Sequence, residues 1–199
     1  MTEPAGLQAA AGDFMKRFGV PDIVIANAGI GVGTSAEAPE DLSTFRRILD
    51  TNVLGMAVTF LPFVASMRER ASGTLVGIAS VAGFRGLPGG SAYSASKAAA
   101  ITYLESLRAE LHGSGVAVVT ICPGYVRTPM TAVNRYRMPF LIDADDAARR
   151  FARAIAAKRR FAVIPWPMAL VALVLRLLPR WLYDRLFAHA PRKARGLPQ

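Results

Sequence analysis

The order of apolar runs and helical segments along this chain of 199 residues predicts an α/β fold built on a parallel sheet. Three short runs, DIVIA at 22–26, TLVGIAS at 74–80 and VAVVTIC at 116–122, alternate with longer segments of helical composition. Continuous apolar runs of this length are typical of strands buried on both faces. Strands that alternate with helices pair in parallel through right-handed crossovers. A hydrophobic content of 52% argues against disorder, and the length suits a single domain with a sizeable core.

Start and stop signals support each element in chain order. Thr2 to Phe18 is predicted as the first helix, with Pro4 suited to its first turn and Gly19 to its end. The helix that begins near Asp143 carries acids in its first turn and bases in its last, as the helix dipole favours. The remaining predictions are helices from Glu40 to about Arg70, from about Ser91 to Leu111 and from Asp143 to Lys158, and a last strand from Phe161 to Pro165.

The residues that best indicate chemistry are Ser80, Tyr93 and Lys97. Tyr93 and Lys97 are four residues apart in an Ala/Ser-rich helix, so both side chains project from one face. A lysine ammonium beside a tyrosine favours the phenolate and lowers the phenol pKa, which would make Tyr93 a usable general acid or base. Ser80 ends an apolar strand, where its hydroxyl is expected to bind a polarised carbonyl oxygen.

Further motifs follow the same order as in a known family. Tyr93 and Lys97 form a Tyr-x-x-x-Lys pair, and Ser80 precedes the tyrosine by thirteen positions. The other matches are the turn Asn27-Ala28-Gly29, the helix asparagine Asn52 and the run Pro123-Gly124-Tyr125-Val126-Arg127-Thr128. With these motifs, residues 5 to 165 resemble the short-chain dehydrogenase/reductase family. The resemblance implies a Rossmann-like three-layer α/β fold and NAD(P)-dependent hydride transfer between nicotinamide and a carbonyl or secondary alcohol.

The resemblance also implies a role for each matched residue. Tyr93 would exchange a proton with the substrate oxygen, Ser80 would hold that oxygen, and Asn52 would anchor a water in a proton relay. Lys97 would lower the tyrosine pKa and bind the nicotinamide ribose. Taken singly, each residue also has a plain structural explanation, as a surface tyrosine, a solvated lysine, a turn serine or a buried asparagine.

The cofactor implied is NADP or NAD. On its adenosine side the resemblance places Asn27, Ala28 and Gly29, and on its nicotinamide side it places Pro123, Gly124, Val126 and Thr128. The family's opening T-G-x-x-x-G-x-G turn, which binds the pyrophosphate, does not occur in this sequence. We therefore expect an N-terminally truncated sheet that lacks the first three strands of the family fold, with DIVIA as an exposed edge. Gly29-Ile30-Gly31-Val32-Gly33 is interpreted as a flexible loop beside the site and not as a phosphate cradle.

Charge divides the chain into two parts. Residues 1–148 carry 12 Lys/Arg and 13 Asp/Glu, whereas residues 149–199 carry 12 against one, so the net charge of +10 lies in the C-terminal part. There, basic clusters flank an apolar stretch that contains Trp166 and Trp181. We predict a catalytic domain at 1–165 and a basic, hydrophobic, helical tail at 166–199. The tail either lies on an anionic membrane surface through 166–195 or packs on the protein or a partner subunit.

The remaining expectations concern partners and location. A single cysteine, Cys122, predicts a buried packing residue and a reducing compartment, and no secretory leader is apparent, so a cytoplasmic location is expected, with contact to the inner face of a membrane as an option. Two separated histidines predict no metal site. A homo-oligomer, dimer or tetramer, is implied by the resemblance; nucleic acid is the least favoured partner. A non-enzymatic remnant that binds a membrane or partner through its tail is the alternative function.

The segment after Thr128 is expected to cover the substrate. It corresponds to the variable substrate lid of the family, and its apolar residues suggest an apolar, lipid-like, steroid-like or long-chain ketone or alcohol. Those residues are Met130, Met138, Phe140 and Leu141.

Overall fold

The fold is a parallel sheet with helices on both faces, in a computed structural model that describes residues 3–134 and 136–195. The sheet has the order β1–β2–β3–β6, and every pair in it is parallel. These strands are β1 (Ile23–Ala26), β2 (Gly73–Ile78), β3 (Val116–Pro123) and β6 (Phe161–Ile164), while β4 (Val126–Arg127) and β5 (Ile142–Asp143) form a separate two-stranded ribbon.

Eight α-helices connect and cover the strands within the described ranges. They are α1 (Pro4–Phe18), α2 (Asp41–Leu49), α3 (Gly55–Glu69), α4 (Ser91–Glu110), α5 (Pro129–Ala132), α6 (Ala144–Ala156), α7 (Pro167–Leu177) and α8 (Arg180–Phe187). A π-helical turn, Asp50–Leu54, joins α2 to α3 without a break. π-Helical turns inside α-helices are often found at functional sites, and this one carries Asn52.

The core consists of two apolar layers, one on each face of the sheet. On one face Leu75 and Val118 pack with Phe60 of α3 and Leu104 of α4. On the other face Val76, Val119 and Ile121 pack with Ala154 of α6. The predicted three-layer arrangement of helix, sheet and helix is therefore confirmed.

The strands and helices begin and end close to the predicted residues, with one difference at Ser80. The sequence placed Ser80 at the end of a strand, whereas β2 ends at Ile78. Ser80 instead caps a short 3-10 turn, Val81–Gly83, and its hydroxyl accepts a hydrogen bond from the Ala82 N–H at 3.2 Å. A serine favours such a cap because its side chain can replace a missing backbone acceptor.

Strand β1 forms the edge of the four-stranded sheet in the part of the chain that the structure describes. Val24 and Ala26 are buried, but Ile23 and Ile25 are each nearly half exposed. The expected position of DIVIA at an edge, with apolar side chains reaching solvent, therefore agrees with the structure.

The C-terminal part returns to the domain instead of leaving it. Met168 and Ala172 of α7 are buried, and the Arg85 guanidinium donates to the Leu178 carbonyl at 3.1 Å. After α8 the chain runs without regular structure along residues 188–195, which we call the strap. The division at residue 165 remains a prediction, although the packing of α7 favours the second of the two expectations for the tail.

One continuous helical stretch, Asp41–Glu69, is long and apolar enough to cross a membrane by length and composition alone. It contains Ile48, Phe60 and Met67, which are fully buried in the core. A core helix passes the same test, so this stretch is weak support for a membrane span. Helix α7, at 11 residues, spans about 16 Å against a hydrocarbon core of about 30 Å.

Candidate active site

The predicted site residues lie at one edge of the sheet, where the parallel strands end. Gly29 follows β1, Ser80 follows β2 and Gly124 follows β3. The Ser80 hydroxyl donates to the Pro123 carbonyl at 3.5 Å, which joins the ends of two neighbouring strands. Open α/β sheets bind their ligands at this carboxyl edge, so the location itself is typical of a functional site.

Tyr93 and Lys97 enter this edge from the first turns of α4. The Lys97 side chain is buried, and its Nζ donates to the Ile78 carbonyl at 2.8 Å. The same Nζ lies 5.8 Å from the centre of the Tyr93 ring. The spacing of four residues therefore brings both side chains to one face of the helix, as expected.

Burial controls the pKa values of this pair. It lowers the pKa of Lys97 to about 8, and it raises the pKa of Tyr93, an effect that hydrogen bonding to the Ser80 hydroxyl partly opposes. The expected lowering of the Tyr93 pKa by Lys97 is thus not seen. The reason is geometric, since the ammonium is directed to the Ile78 carbonyl rather than to the phenol.

Asn52 holds the loop that follows β1. Its Oδ1 accepts from the Ile30 N–H at 2.8 Å, and its Nδ2 donates to the Ile30 carbonyl at 2.9 Å. The same Nδ2 donates to the Ser96 hydroxyl at 2.9 Å, and Ser96 donates to the Tyr93 carbonyl at 2.7 Å. One buried network therefore connects the π-helical turn, the glycine loop and the helix of Tyr93. The water that the resemblance implied for Asn52 remains a prediction.

The glycine loop is close-packed against the site. A methyl group at Gly29 would lie 3.2 Å from the Asn52 Oδ1 and 3.4 Å from the Lys97 Nζ, and one at Gly31 would lie 2.7 Å from the Tyr93 ring. The Gly33 N–H donates to the Ala194 carbonyl at 2.7 Å. The loop lies beside the site as predicted, but these contacts fix it, which the interpretation as a flexible loop did not anticipate.

The other residues assigned to the cofactor surround this edge. Asn27 and Ala28 are exposed just after β1, while Pro123, at the end of β3, and Gly124, Val126 and Thr128, after it, are partly buried. Thr128 caps α5 through a reciprocal capping box with Thr131. The two groups lie at the ends of β1 and β3, which are not adjacent, and Ser80 and Lys97 lie between them at the end of β2.

A cleft of about 340 Å³ opens beside Ser80 and Tyr93. Its walls come from the loop before α4, from the segment after Thr128 and from the strap. Met130 of the predicted lid lines the cleft, but Met138, Phe140 and Leu141 are not among its lining residues, and Phe140 is exposed. Of the four apolar lid residues named from the sequence, Met130 alone lines the cleft; another lid residue, Tyr136, lines it together with Tyr125, with which it is in edge-to-face contact.

Three features of the site are not evident from the sequence. Ser96, fully buried between Asn52 and Tyr93, lies in a segment whose Ala/Ser-rich composition predicts a helix and no further role; the signal for it is that a buried asparagine needs a hydrogen-bond partner. Lys193 of the strap lines the cleft, with its Nζ 5.5 Å from the centre of the Tyr93 ring. Arg195 pairs with Asp41 at 2.9 Å and with Glu40 at 2.7 Å, over a separation in sequence that no local pattern predicts.

The chain matches known proteins along most of its length. It is 44% identical over 163 residues to an uncharacterized oxidoreductase of Myxococcus xanthus, which covers 82% of this chain and 64% of that protein. It is 31% identical to dehydrogenase/reductase SDR family member 7B of Bos taurus, over 98% of this chain and 63% of that protein. The chain thus spans slightly less than two thirds of the length of these relatives.

Solved structures agree with the fold. A short chain dehydrogenase from Burkholderia cenocepacia in complex with NADP is similar with a TM-score of 0.79 and 25% identity, over 96% of this chain and 76% of that one. A short-chain dehydrogenase from Streptomyces avermitilis is similar with a TM-score of 0.72 and 27% identity, over 86% and 70%. The family profile described as short chain dehydrogenase matches residues 1–138. The chain belongs to the short-chain dehydrogenase family.

Proposed function

We propose that this chain carries the reaction site of an NAD(P)-dependent oxidoreductase that interconverts a carbonyl and a secondary alcohol. The observation that supports the proposal most strongly is the meeting of Ser80, Tyr93 and Lys97 beside an open cleft at the carboxyl edge of the sheet. The relatives add support, because the Burkholderia structure was determined with NADP.

The residues present fit the nicotinamide side of such a cofactor. Gly29 leaves free the space next to the Lys97 Nζ that a side chain would fill. Lys97 would donate to the ribose hydroxyls, and the turn at Pro123–Gly124, with Val126 and Thr128, would hold the nicotinamide ring and its carboxamide. Asn27 and Ala28, together with Gly29 itself, would line the adenosine side. The sequence contains no T-G-x-x-x-G-x-G turn for the pyrophosphate, so the fit covers only part of the cofactor.

In the proposed mechanism, Ser80 and Tyr93 bind the substrate oxygen and Tyr93 transfers the proton. The bound nicotinamide supplies or accepts the hydride. Reduction makes the substrate oxygen more basic, so the phenol of Tyr93 gives its proton to that oxygen, and the reverse reaction returns it. The direct hydrogen bond of the Lys97 ammonium goes to the Ile78 carbonyl, so Lys97 would support the phenolate that remains only through its charge, at 5.8 Å from the centre of the Tyr93 ring. Asn52 and Ser96 hold the backbone around Tyr93 and act as positioning residues.

Calorimetric titration of the purified chain with NADPH and NADH tests this proposal. We expect saturable binding that Lys97→Ala weakens by at least about tenfold, and a ketone reductase activity that Tyr93→Phe abolishes while binding is kept. Lys16→Ala is the matched control, because Lys16 is exposed on α1 away from the site. A folded chain that binds neither nucleotide would overturn the proposal for this chain.

A second function, peripheral contact with an anionic membrane, is supported by one exposed apolar face of the tail. Its side chains are more than half exposed: Trp166, Leu170, Leu173, Val174 and Leu177 recur at helical spacing from the start of α7 to its end, and Trp181 follows on α8. The arginines on these two helices, Arg176, Arg180 and Arg185, outnumber the single acid, Asp184, which favours anionic lipid as the occupant.

Flotation with liposomes tests the membrane proposal. We expect the chain to float with anionic vesicles and not with neutral ones, and the combined change Leu173→Ser, Leu177→Ser and Trp181→Ser to abolish flotation. Phe18→Ser with Leu42→Ser is the matched control, since both side chains are 73% exposed outside the tail. Equal flotation of both variants, or none by the unchanged chain, would refute the proposal.

We also propose self-association through the helices around Asn52 and Tyr93, as the family resemblance implies. Leu54 is 50% exposed and Leu61 of α3 is 69% exposed, which leaves apolar surface there for a second copy. Sedimentation of the chain should therefore show a dimer or tetramer, and Leu61→Glu should dissociate it.

A further inference from the structure

The cleft beside Tyr93 combines an apolar interior with uncompensated positive charge. Its lining is mostly apolar or aromatic, and the charged side chains on it are Lys193 and Arg137. Within the described residues, the lining includes no Asp or Glu, and neither cation has an ion pair. An apolar cavity that carries one or two cations favours a ligand that combines an apolar part with a negative charge.

Lys193 is held over the cleft by the strap, which is fixed on both sides of it. On one side Arg192 packs on Gly89, where an added methyl group would lie 2.7 Å from the Arg192 Cβ. On the other side the Ala194 carbonyl accepts from the Gly33 N–H, and Arg195 pairs with Asp41 and Glu40. The ammonium of Lys193 is therefore brought to the site by specific contacts and is not simply the end of a free tail.

The position of Lys193 disfavours its charge in the absence of a partner. The side chain is partly buried, and burial lowers its pKa. Its contact with the Tyr93 ring, at 5.5 Å from the ring centre, is a weak cation–π interaction that uses none of its hydrogen-bond donors. An anionic oxygen group at this point would pair with the ammonium and offset the cost of burying it.

We propose that the cleft binds a substrate with an apolar body and one anionic oxygen-acid group, a carboxylate or a phosphate, and that Lys193 pairs with that group. The proposal rests on the proposed function for the reacting carbonyl, which Ser80 and Tyr93 would hold, and it adds what the rest of the substrate must carry. Arg137, exposed on the lining, provides a second cation for a doubly charged group. The strap thereby becomes the part of the fold that determines specificity.

Binding of simple amphiphiles below their micelle concentration tests this assignment without requiring turnover. The probes are decanoate, decyl phosphate and the neutral decan-1-ol, titrated calorimetrically into the full chain. We expect decanoate or decyl phosphate to bind at least about tenfold more tightly than decanol. The tighter of the two anions identifies the group. Decanol binding as tight as both anions would overturn the proposal.

Variants then locate the charge. Lys193→Met keeps most of the side-chain volume and should weaken anion binding about tenfold or more without changing decanol binding, whereas Lys193→Arg should retain it. Lys16→Met is the matched control and should bind like the unchanged chain. Unaltered anion binding by Lys193→Met would overturn the proposal. NAD(P)H binding is measured separately. Anion binding without NAD(P)H binding would refute only the proposed function. NAD(P)H binding without anion binding would refute only this inference.

Discussion

Asn52 and Ile30 are joined by two hydrogen bonds, one in each direction, between the Asn52 amide and the Ile30 backbone. The Ile30 N–H donates to Oδ1 at 2.8 Å, and Nδ2 donates to the Ile30 carbonyl at 2.9 Å. An amide side chain can make this pair because it carries a donor and an acceptor side by side. The arrangement holds the loop after β1 against the π-helical turn, and so holds Gly29 and Gly31 next to Lys97 and Tyr93.

Asn52→Ala should therefore destabilise the fold as well as the site. It leaves the Ile30 N–H and carbonyl without their partner, and it removes a donor from Ser96. We expect the free energy of unfolding to fall by roughly 2 to 4 kcal/mol, measured by urea denaturation. Thr59→Val is the control, because among the described residues the buried Thr59 hydroxyl bonds only within its own helix, to Gly55, and its loss should cost less than about 1 kcal/mol. Equal losses in the two variants would contradict this account.

Gly31→Ala should disturb the site more than the fold. The new methyl group would lie 2.7 and 2.8 Å from two carbons of the Tyr93 ring, so the ring must move. We expect reductase activity to fall about tenfold or more while the far-ultraviolet circular dichroism is unchanged. Gly12→Ala on α1, where an added methyl group meets nothing within 4 Å, should leave activity unchanged. Full activity of the Gly31 variant would mean that the position of Tyr93 is not critical.

Much of the fold follows from the sequence because its signals are local. The apolar runs at β1, β2 and β3 fix buried parallel strands, and the periodic segments between them fix the helices. The spacing of Tyr93 and Lys97 fixes their common helix face. What the sequence did not predict depends on tertiary contact: the Lys97 ammonium is directed to the Ile78 carbonyl, and Lys193 is brought to Tyr93 from the other end of the chain.

In the tail, too, the composition could be interpreted from the sequence but the tertiary contacts could not. Its composition indicated a basic apolar segment, and the structure has helices there with an exposed apolar face. The ion pairs of Arg195 with Glu40 and Asp41 could not be predicted, because they join residues more than 150 positions apart. No periodicity or fixed spacing in the sequence indicates ion pairs between residues so far apart.

Loss of the charge on Asp41 should loosen the strap. In the structure Asp41 accepts from the Ser35 N–H and from Arg195, and these two bonds lower its pKa. Asp41→Asn retains an acceptor for Ser35 but removes the ionic contact. We expect trypsin to cleave after Arg192 and Lys193 several-fold faster, followed by mass spectrometry. Asp50→Asn is the matched control and should leave cleavage unchanged, since in the described part of the chain Asp50 pairs only with the exposed Arg46. Unchanged cleavage at both sites would show that the ion pair does not hold the strap.

The exposed edge of the sheet should promote association at high concentration. Ile23 and Ile25 of β1 are 48% and 46% exposed, and in the described part of the chain β1 is the end strand of the sheet, so one side of its backbone has no neighbouring strand there. Ile25→Lys should reduce concentration-dependent light scattering while the melting temperature stays within a few degrees. Leu186→Lys, at an exposed site on α8 and outside both β1 and the helices around Asn52, should leave the scattering unchanged. Equal scattering by the Ile25 variant and the unchanged chain would exclude β1 as the contact.

The pKa of Lys97 predicts how stability changes with pH. Its ordinary value is 10.5, and burial lowers it to about 8 in the folded chain. Between these two values the unfolded chain binds more protons than the folded one, so the contribution of Lys97 to stability rises with pH from about 8 to about 10.5. The full change is roughly 3 kcal/mol, at about 1.4 kcal/mol per pH unit.

Comparison with Lys97→Met isolates this contribution from that of other groups. Cys122 changes stability with pH in the opposite direction, because burial raises its pKa from 9.0 to about 12. Its contribution is nearly the same in the unchanged chain and in Lys97→Met, so it nearly cancels in the difference between them. We expect the free energy of unfolding of the unchanged chain, minus that of the variant, to rise through this pH range, as measured by urea denaturation. The same difference taken with Lys16→Met should stay flat, since Lys16 is exposed. A flat difference for Lys97 as well would mean that its ammonium is no more costly to hold in the folded chain than in the unfolded one, and that the buried position beside Ile78 does not control its charge.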